Sequence, residues 1–129
     1  MTEGIEGITT TLLGLALDAA SLRQQAIAAN IANADVAGYA PLAVDFESQL
    51  DSARRDVGGT SRLDAAALSQ VVPALVTDTT PQPLGLSPKV LLDLEVAHLA
   101  QNGVQYQALV TGLSKHYAVL ALAVGDGKK

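Results

Sequence analysis

The chain has 129 residues and a formal net charge of −5, and aromatic residues make up only 3% of it. This length fits one domain, and the 8 lysines and arginines are too few and too scattered for a phosphate-binding surface, which argues against nucleic acid as a partner. The absence of cysteine excludes a disulfide framework and a thiolate metal site.

The apolar N-terminus differs from a secretory signal. Acidic residues precede its apolar stretch and the first basic residue is Arg23, whereas a cleaved signal begins with positive charge. The longest uncharged run, residues 99–114, carries amide side chains that are costly in lipid. We therefore predict neither a cleaved signal peptide nor a direct membrane span.

The first predicted element is an N-terminal helix over residues 5–35. Its apolar residues recur at alternating spacings of three and four, which is typical of a helix that packs along its length against another helix. This seam comprises Ile5, Ile8, Leu12, Leu15, Ala19, Leu22, Ala26 and Ala29. Gly4, Gly7 and three successive threonines weaken the helix near its start, so we expect about the first ten residues to order only on binding.

The same helix carries a second apolar stripe on a different face. The stripe comprises Leu13, Leu17, Ile27 and Ile31. A single partner helix cannot cover both faces, and four aliphatic side chains left in water would forgo about 6–12 kcal/mol of burial. The pattern therefore predicts that this stripe contacts neighbouring chains.

Residues 36–89 are predicted to form a turn and a short, irregular, partly flexible middle segment. Residues 46–55 favour a helix of about three turns, whereas the remainder mixes paired glycines, prolines and Thr/Ser/Asp clusters. An alternative is that this segment supplies a third helix over the second stripe. That alternative is disfavoured because so short an element cannot cover a helix of about 40 Å.

The last predicted element is a helix over residues 90–124, which begins after Ser87 and Pro88 and ends near Gly125. Its predicted seam comprises Leu92, Val96, Leu99, Gly103, Tyr106, Val110, Leu113, Tyr117, Leu120 and Val124. Gly103 and Gly112 are interpreted as points of close helix approach. The two long helices predict an all-α fold, a long antiparallel helical hairpin with coiled-coil-like packing.

Candidates for catalysis are weak. His98 and His116 are separated by about 27 Å along a helix, too far to share a metal ion. Phosphate-binding and dinucleotide glycine motifs are absent from the sequence, as is a nucleophile with a local base. We predict no catalytic residue, no metal ligand and no cofactor.

Two stretches resemble a known family. "RQQAIAANIANADVAGYAPLAVDFESQL" and "LDLEVAHLAQNGVQYQALVTGLSKHYAVLALAV" are similar to the N- and C-terminal helices of bacterial flagellar rod, hook and hook-associated axial proteins, and most closely to those of the proximal rod. The chain departs from the usual Thr-Pro-Gly-Tyr turn, since it has Val36-Ala37-Gly38-Tyr39 with the proline displaced to Pro41. It also begins its last helix with "SPKVLLDLE" instead of a more polar lead.

The resemblance implies a structural subunit of the periplasmic proximal rod that transmits torque. It implies export through the flagellar type III apparatus without cleavage, and partners among other rod subunits and the adaptor or membrane-ring proteins at the rod base. Asn30 and Asn33 lie about one turn apart and either end the helix or reach an adjacent subunit. The predicted subunit-interface residues are Leu13, Leu17, Ile27, Asn30, Ile31, Asn33, Gly38, Tyr39, Tyr106, Leu113, Tyr117 and Leu120. The alternative function is a cytosolic helical-hairpin adaptor or export chaperone that binds one partner.

Overall fold

The computed structural model describes residues 2–56, 63–80 and 88–127. Two long helices, α1 (Thr2–Ala32) and α4 (Pro88–Asp126), flank a middle segment. That segment contains β1 (Leu42–Asp45), α2 (Glu47–Asp56), α3 (Ala65–Leu68) and β2 (Ala74–Thr77). The predicted helical hairpin is therefore confirmed. The α1 helix already begins at Thr2, and the predicted Ser87 cap lies outside the described residues.

The α1 and α4 helices pack against each other in antiparallel directions. Near the start of α1, Thr10 faces His116, and the side-chain oxygen and ring nitrogen are 3.2 Å apart. Further along, the Asn102 amide donates to the Ala20 carbonyl at 2.9 Å. At the end of α1, Asn30 faces Glu95. Residue numbers rise along one helix as they fall along the other, as a hairpin requires.

The seam by which α4 faces α1 agrees with the predicted one at Leu92, Leu99, Leu113 and Leu120 and differs from it elsewhere. Its covered residues are Leu92, Glu95, Leu99, Asn102, Leu109, Leu113, His116 and Leu120, all buried or half-buried. The predicted Val96, Tyr106, Val110, Tyr117 and Val124 are instead exposed. The helix is rotated slightly from the expected position because three polar residues, Glu95, Asn102 and His116, find partners on α1.

The second stripe of α1 lies on the side that faces α4. Thr10, Ala20 and Gln24 contact α4, and helical spacing places Leu13, Leu17, Ile27 and Ile31 on that same face. Ile27 is only 8% exposed, and the other three are half-buried. The expectation that the single chain leaves this stripe uncovered is therefore wrong.

The middle segment, and not α4, covers the predicted seam of α1 over the centre of that helix, around Leu15 and Ala19. Ala19 packs in a cluster with Phe46, Ala53 and Val71, and half-buried side chains such as Leu15 surround it. Burial of the chain's single phenylalanine anchors α2 and α3 on α1. The predicted short helix at residues 46–55 is confirmed as α2, whereas the sheet was not expected. Residues 57–62 and 81–87, part of the predicted irregular segment, lie outside the described residues.

The two strands form a small antiparallel sheet, in which Leu42 pairs with Thr77 and Asp45 with Ala74. The β1 strand lies against α1. After α1 ends, the backbone turns through Gly38, whose φ of +77° lies in the left-handed region that glycine adopts without strain. This turn directs β1 back along α1.

Both long helices are apolar enough to raise the question of a membrane. By length and composition alone, Gly4–Ala32 and Leu91–Asp126 could each cross a bilayer, with mean hydropathy of 1.3 and 1.4. Within an apolar stretch of 18 residues in each helix, only 11% and 0% of the residues are buried. The single chain thus leaves a large apolar helical surface for something else to cover, and the absence of a span stays a prediction.

Candidate subunit interface

The Asn30 side chain fastens the end of α1 to the start of β1. Its Oδ1 accepts hydrogen bonds from the Leu42 backbone N–H at 2.8 Å and from the Tyr39 hydroxyl at 3.1 Å. Its Nδ2 donates to the Leu42 carbonyl at 3.0 Å and to Glu95 Oε2 at 3.4 Å. The residue is 7% exposed. All four hydrogen-bonding positions of the amide are therefore used within the chain.

A second amide repeats this arrangement in the middle segment. The Gln49 Nε2 donates to the Val72 carbonyl at 2.9 Å, and the Val72 N–H donates to Gln49 Oε1 at 2.9 Å. We call these two sets of contacts the amide clamps: Asn30 with Leu42, and Gln49 with Val72. Each clamp satisfies the N–H and C=O of one residue, at the start of β1 for Leu42 and in the loop before β2 for Val72, and so supplies the partners that a wider sheet would provide.

Asn33 has a simpler role, since its Nδ2 donates to the Ala29 carbonyl at 2.8 Å. That carbonyl also accepts from the Asn33 backbone N–H at 3.1 Å. This position in the last turn of α1 is where carbonyls lose their helical partners. Of the two roles considered for Asn33, ending the helix is the one that its contacts provide.

The exposed side of α4 presents an apolar row with a spacing of seven residues. This outer row comprises Val96, Gly103, Val110, Tyr117 and Val124, and its four side chains are 41–62% exposed. A methyl group in place of the Gly103 hydrogen would meet no atom within 4 Å, and the same holds at Gly112. No other part of the described chain therefore packs closely against α4 at these two glycines, contrary to the expectation for the hairpin. The row continues beside the α1-facing seam for almost the whole helix.

A cleft of about 390 Å³ opens between α1, β1 and α4. Three carboxylates line it, from Glu47, Asp78 and Glu95, against the single guanidinium of Arg23, which forms an ion pair with Glu47. Asn102 also lines it and is 5% exposed. The Asn102 Oδ1 is buried and accepts no hydrogen bond from the residues that the structure describes. Among the described residues, no group of three or more metal-ligating side chains is placed to hold an ion.

Comparison with known proteins identifies the family. The model of the family described as "Flagella basal body rod protein" matches residues 14–39. The flagellar basal body rod protein FlgB of Escherichia coli K12 is 34% identical over 110 residues, which cover 77% of this chain and 80% of that protein. The chain belongs to the FlgB family of flagellar basal body rod proteins.

Two further FlgB proteins support this assignment. FlgB of Salmonella typhimurium is 33% identical over 109 residues, which cover 76% of this chain and 79% of that protein. FlgB of Bacillus subtilis is 31% identical over 120 residues, which cover 88% of this chain and 90% of that protein. The segment matched by the rod-protein family model contains Asn30, Asn33 and the Gly38 turn, and it ends three residues before Leu42, the partner of Asn30 in the first amide clamp.

The predicted interface residues of this FlgB-family chain divide into three groups by burial. Ile27 and Asn30 are already buried, and Leu13, Leu17, Ile31, Asn33, Tyr39, Leu113 and Leu120 are half-buried. Tyr106, Tyr117 and Gly38 are exposed. Ile27 and Asn30 therefore contact their own chain first, because α4 and β1 cover them. Contact of the twelve residues with other subunits stays a prediction.

Sequence reasoning missed the partners of the buried polar groups. Three polar side chains bond to partners that are distant in sequence. Gln49 bonds to the Val72 backbone, Glu95 to the Asn30 amide, and Asn102 to the Ala20 carbonyl. A polar residue at a seam position is a weak signal of such a contact. Asn102 lies three residues after Leu99, which is a seam spacing in α4. This spacing is the one feature of the sequence that indicates burial of Asn102.

Proposed function

We propose that this chain is a structural subunit of the flagellar proximal rod, which assembles by helix packing against neighbouring axial subunits and transmits torque. The observation that carries the proposal is the outer row of α4. A row of valines and a tyrosine with heptad spacing suits a second helical partner lying alongside the hairpin, as in a coiled coil of more than two helices. Membership of the FlgB family supports the same role.

The energy available from this surface is large enough for assembly. The four side chains of the outer row are about half exposed. Complete burial of such side chains contributes about 1.5–3 kcal/mol each, so finishing the burial of four gives about 3–6 kcal/mol per copy. Association also costs several kcal/mol of lost motion. One row therefore gives weak pairing in solution and stable contacts only where many copies meet.

The amide clamps suit a subunit that carries mechanical load. Asn30 ties the start of β1 to α1, Gln49 ties α2 to the backbone that precedes β2 within the middle segment, and the cluster around Phe46 packs that segment on α1. A force applied to the middle segment would therefore pass to the long helices. In this proposal the hairpin and its middle segment move as one unit when the rod turns.

The route and position of the chain are also part of the proposal. The chain leaves the cytoplasm unfolded through the flagellar type III export apparatus, keeps its N-terminus, and takes its place in the periplasmic rod beside other rod subunits and the adaptor or membrane-ring proteins at the base. Three polar residues at the α1–α4 seam support this, because they reduce its apolar burial and favour opening of the hairpin before export. In this arrangement, rod neighbours and not lipid cover the two apolar helices.

The function proposed is not enzymatic, in keeping with a family of structural rod proteins. The competing function is a cytosolic adaptor or export chaperone that covers its outer row with one partner. The two functions differ in where the chain ends up. A rod subunit is recovered in isolated basal bodies, whereas an adaptor stays in the cytosol as a soluble monomer or a complex of fixed size.

The test replaces one residue of the outer row in cells that depend on this chain for motility. We expect Val110→Asp to leave export intact and to reduce recovery of the chain in basal bodies at least tenfold, because a carboxylate cannot be buried without a partner. Gln107→Glu is the matched control, since it adds the same charge at an exposed polar position of α4. Wild-type recovery for Val110→Asp, or a wild-type chain found only in the cytosol, contradicts the proposal.

A further inference from the structure

The inner edge of β2, the edge that faces β1, has its hydrogen bonds satisfied along the strand. Just after the strand, the Asp78 N–H donates to the Pro41 carbonyl at 2.8 Å. Before the strand, the Val72 N–H and C=O bond to the Gln49 side chain, each at 2.9 Å. Residue pairs in an antiparallel ladder alternate between hydrogen-bonded and non-hydrogen-bonded ones, so the even-numbered residues between these two points also face β1.

The outer edge of β2 consists of the backbone N–H and C=O groups of Leu75 and Thr77. Thr77 pairs with Leu42 in the sheet, but Leu42 gives its own N–H and C=O to Asn30. This pair is therefore of the non-hydrogen-bonded kind, in which both residues direct their backbone groups away from the other strand. Among the described residues, no partner bonds to the backbone of Leu75 or Thr77 on this outer side. Four backbone groups are therefore open along one edge.

The side chains along this edge are uncharged and reach solvent. Leu75 and Val76 are 42% and 40% exposed, and Thr77 is exposed as well. Natural sheets protect a free edge with charged side chains, bulges or a covering element, whereas residues 74–77 carry no charge. An open edge of this kind is the surface to which an extended peptide adds as a further strand.

We propose that the outer edge of β2 binds an extended segment of a different protein chain of the basal body, which adds as a third strand beside β2. The backbone of that segment bonds to Leu75 and Thr77, and an uncharged side chain in it lies beside Val76. This inference rests on the proposed rod function. It adds to the apolar outer row a contact that is directed by the backbone.

A second copy of this chain is a poorer occupant of the edge. Pairing of the edge with itself uses the same surface on both copies and requires a two-fold axis, whereas the subunits of an axial rod repeat head to tail. Of the two described strands, β1 offers no free edge to a neighbouring copy, because its outer side carries the Asn30 clamp and lies against α1. The occupant is therefore a strand from another chain.

The first experiment measures hydrogen exchange of the unchanged chain, both purified and in isolated basal bodies. In the purified chain we expect the Val76 amide to exchange slowly, because it faces β1, and the Leu75 and Thr77 amides to exchange fast. In basal bodies we expect these two outward amides to slow at least tenfold relative to the Ala65 amide, at the exposed start of α3. Unchanged ratios in a chain that is present in basal bodies overturn this inference alone. A wild-type chain absent from basal bodies would refute the rod function itself.

The second experiment removes one outward donor. Thr77→Pro deletes an N–H of the outer edge and leaves the ladder to β1 in place, since proline is tolerated at sheet edges. We expect recovery of this variant in basal bodies to fall at least tenfold. Ala65→Pro is the matched control and should show wild-type recovery, because it follows the extended Asp64 at the first position of α3, where proline fits. Wild-type recovery of Thr77→Pro contradicts the inference.

A second variant separates the edge from the fold. Thr77→Lys keeps the N–H and places a charge beside the outer edge, as natural sheets do to prevent strand addition. We expect slow exchange of the Val76 amide in the purified Thr77→Lys chain, which shows that the sheet is intact, and a loss of recovery of at least tenfold. Wild-type recovery with the sheet intact contradicts the inference.

The third experiment identifies the occupant. A photo-crosslinking amino acid introduced in place of Val76 lies beside the added strand, and in basal bodies we expect its adduct to contain a chain of a different mass. Mass spectrometry of the adduct then locates the segment that lies against β2. An adduct with a second copy of this chain, or no adduct at all, overturns the proposal.

Discussion

Replacing Asn30 by alanine tests the amide clamp that joins α1 to β1. The change leaves the N–H and C=O of Leu42 without their side-chain partner and releases the Tyr39 hydroxyl. A buried polar group without a partner costs about 1–3 kcal/mol. Because Leu42 is half-buried, water restores part of this, and we expect the free energy of unfolding to fall by about 2–4 kcal/mol.

Asn33→Ala is the matched control, since Asn33 makes one side-chain hydrogen bond, to Ala29. Loss of that bond is expected to cost about 0.5–1.5 kcal/mol. Urea unfolding of the purified chain, followed by far-UV circular dichroism, measures both values, and hydrogen exchange at the Leu42 amide reports the clamp directly. If the two variants differ by less than about 0.5 kcal/mol, the clamp does not stabilise the chain as argued.

Three further predictions concern the glycines, the orphan acceptor and the second stripe. Gly38→Ala is expected to lower the free energy of unfolding by about 1 kcal/mol, because φ at this residue is +77°. Gly103→Ala, in an open helical position, is expected to raise it by about 1 kcal/mol. Urea unfolding that shifts both variants in the same direction would refute this pair of predictions. Asn102→Leu removes a buried acceptor without a partner, so the urea midpoint should rise, and a lower midpoint would show that the bond to Ala20 outweighs the orphan oxygen. Leu17→Asp, on the stripe that faces α4, should destabilise the isolated chain by at least about 2 kcal/mol, and unchanged thermal unfolding would argue that this face is free in the single chain.

The sequence was sufficient for the long helices because each repeats its apolar pattern over many turns. It placed Leu92, Leu99, Leu113 and Leu120 correctly on the α4 seam, but it set the other row of that seam one position too far along the chain. Hydrophobicity assigns Val96 and Gly103 to the seam, whereas the chain uses Glu95 and Asn102. Glu95 is half-buried and Asn102 buried at these positions because Asn30 and the Ala20 carbonyl bond to them across the hairpin. Such partners, distant in sequence, leave no periodic signal.

The sheet and the clamps were beyond the sequence for a similar reason. Each strand has four residues, which is too short for alternation to be distinguished from a loop. Their pairing joins Leu42 to Thr77 across the whole middle segment. Asn30 and Asn33 stand out in the sequence as amides at the end of an apolar helix, but only the structure shows that Asn30 bonds to Leu42 and Tyr39 of its own chain.

The outer row of α4 is exposed in the single chain, and the proposed rod function requires that neighbouring subunits cover it in the rod. Hydrogen exchange cannot separate helix stability from coverage, whereas thiol labelling can. The measurement compares the labelling rate of a cysteine introduced by Val110→Cys in the purified chain and in isolated basal bodies, with Gln107→Cys as the exposed reference. We expect labelling at position 110 to slow at least tenfold relative to position 107 on assembly. An unchanged ratio of the two rates would contradict coverage of the outer row.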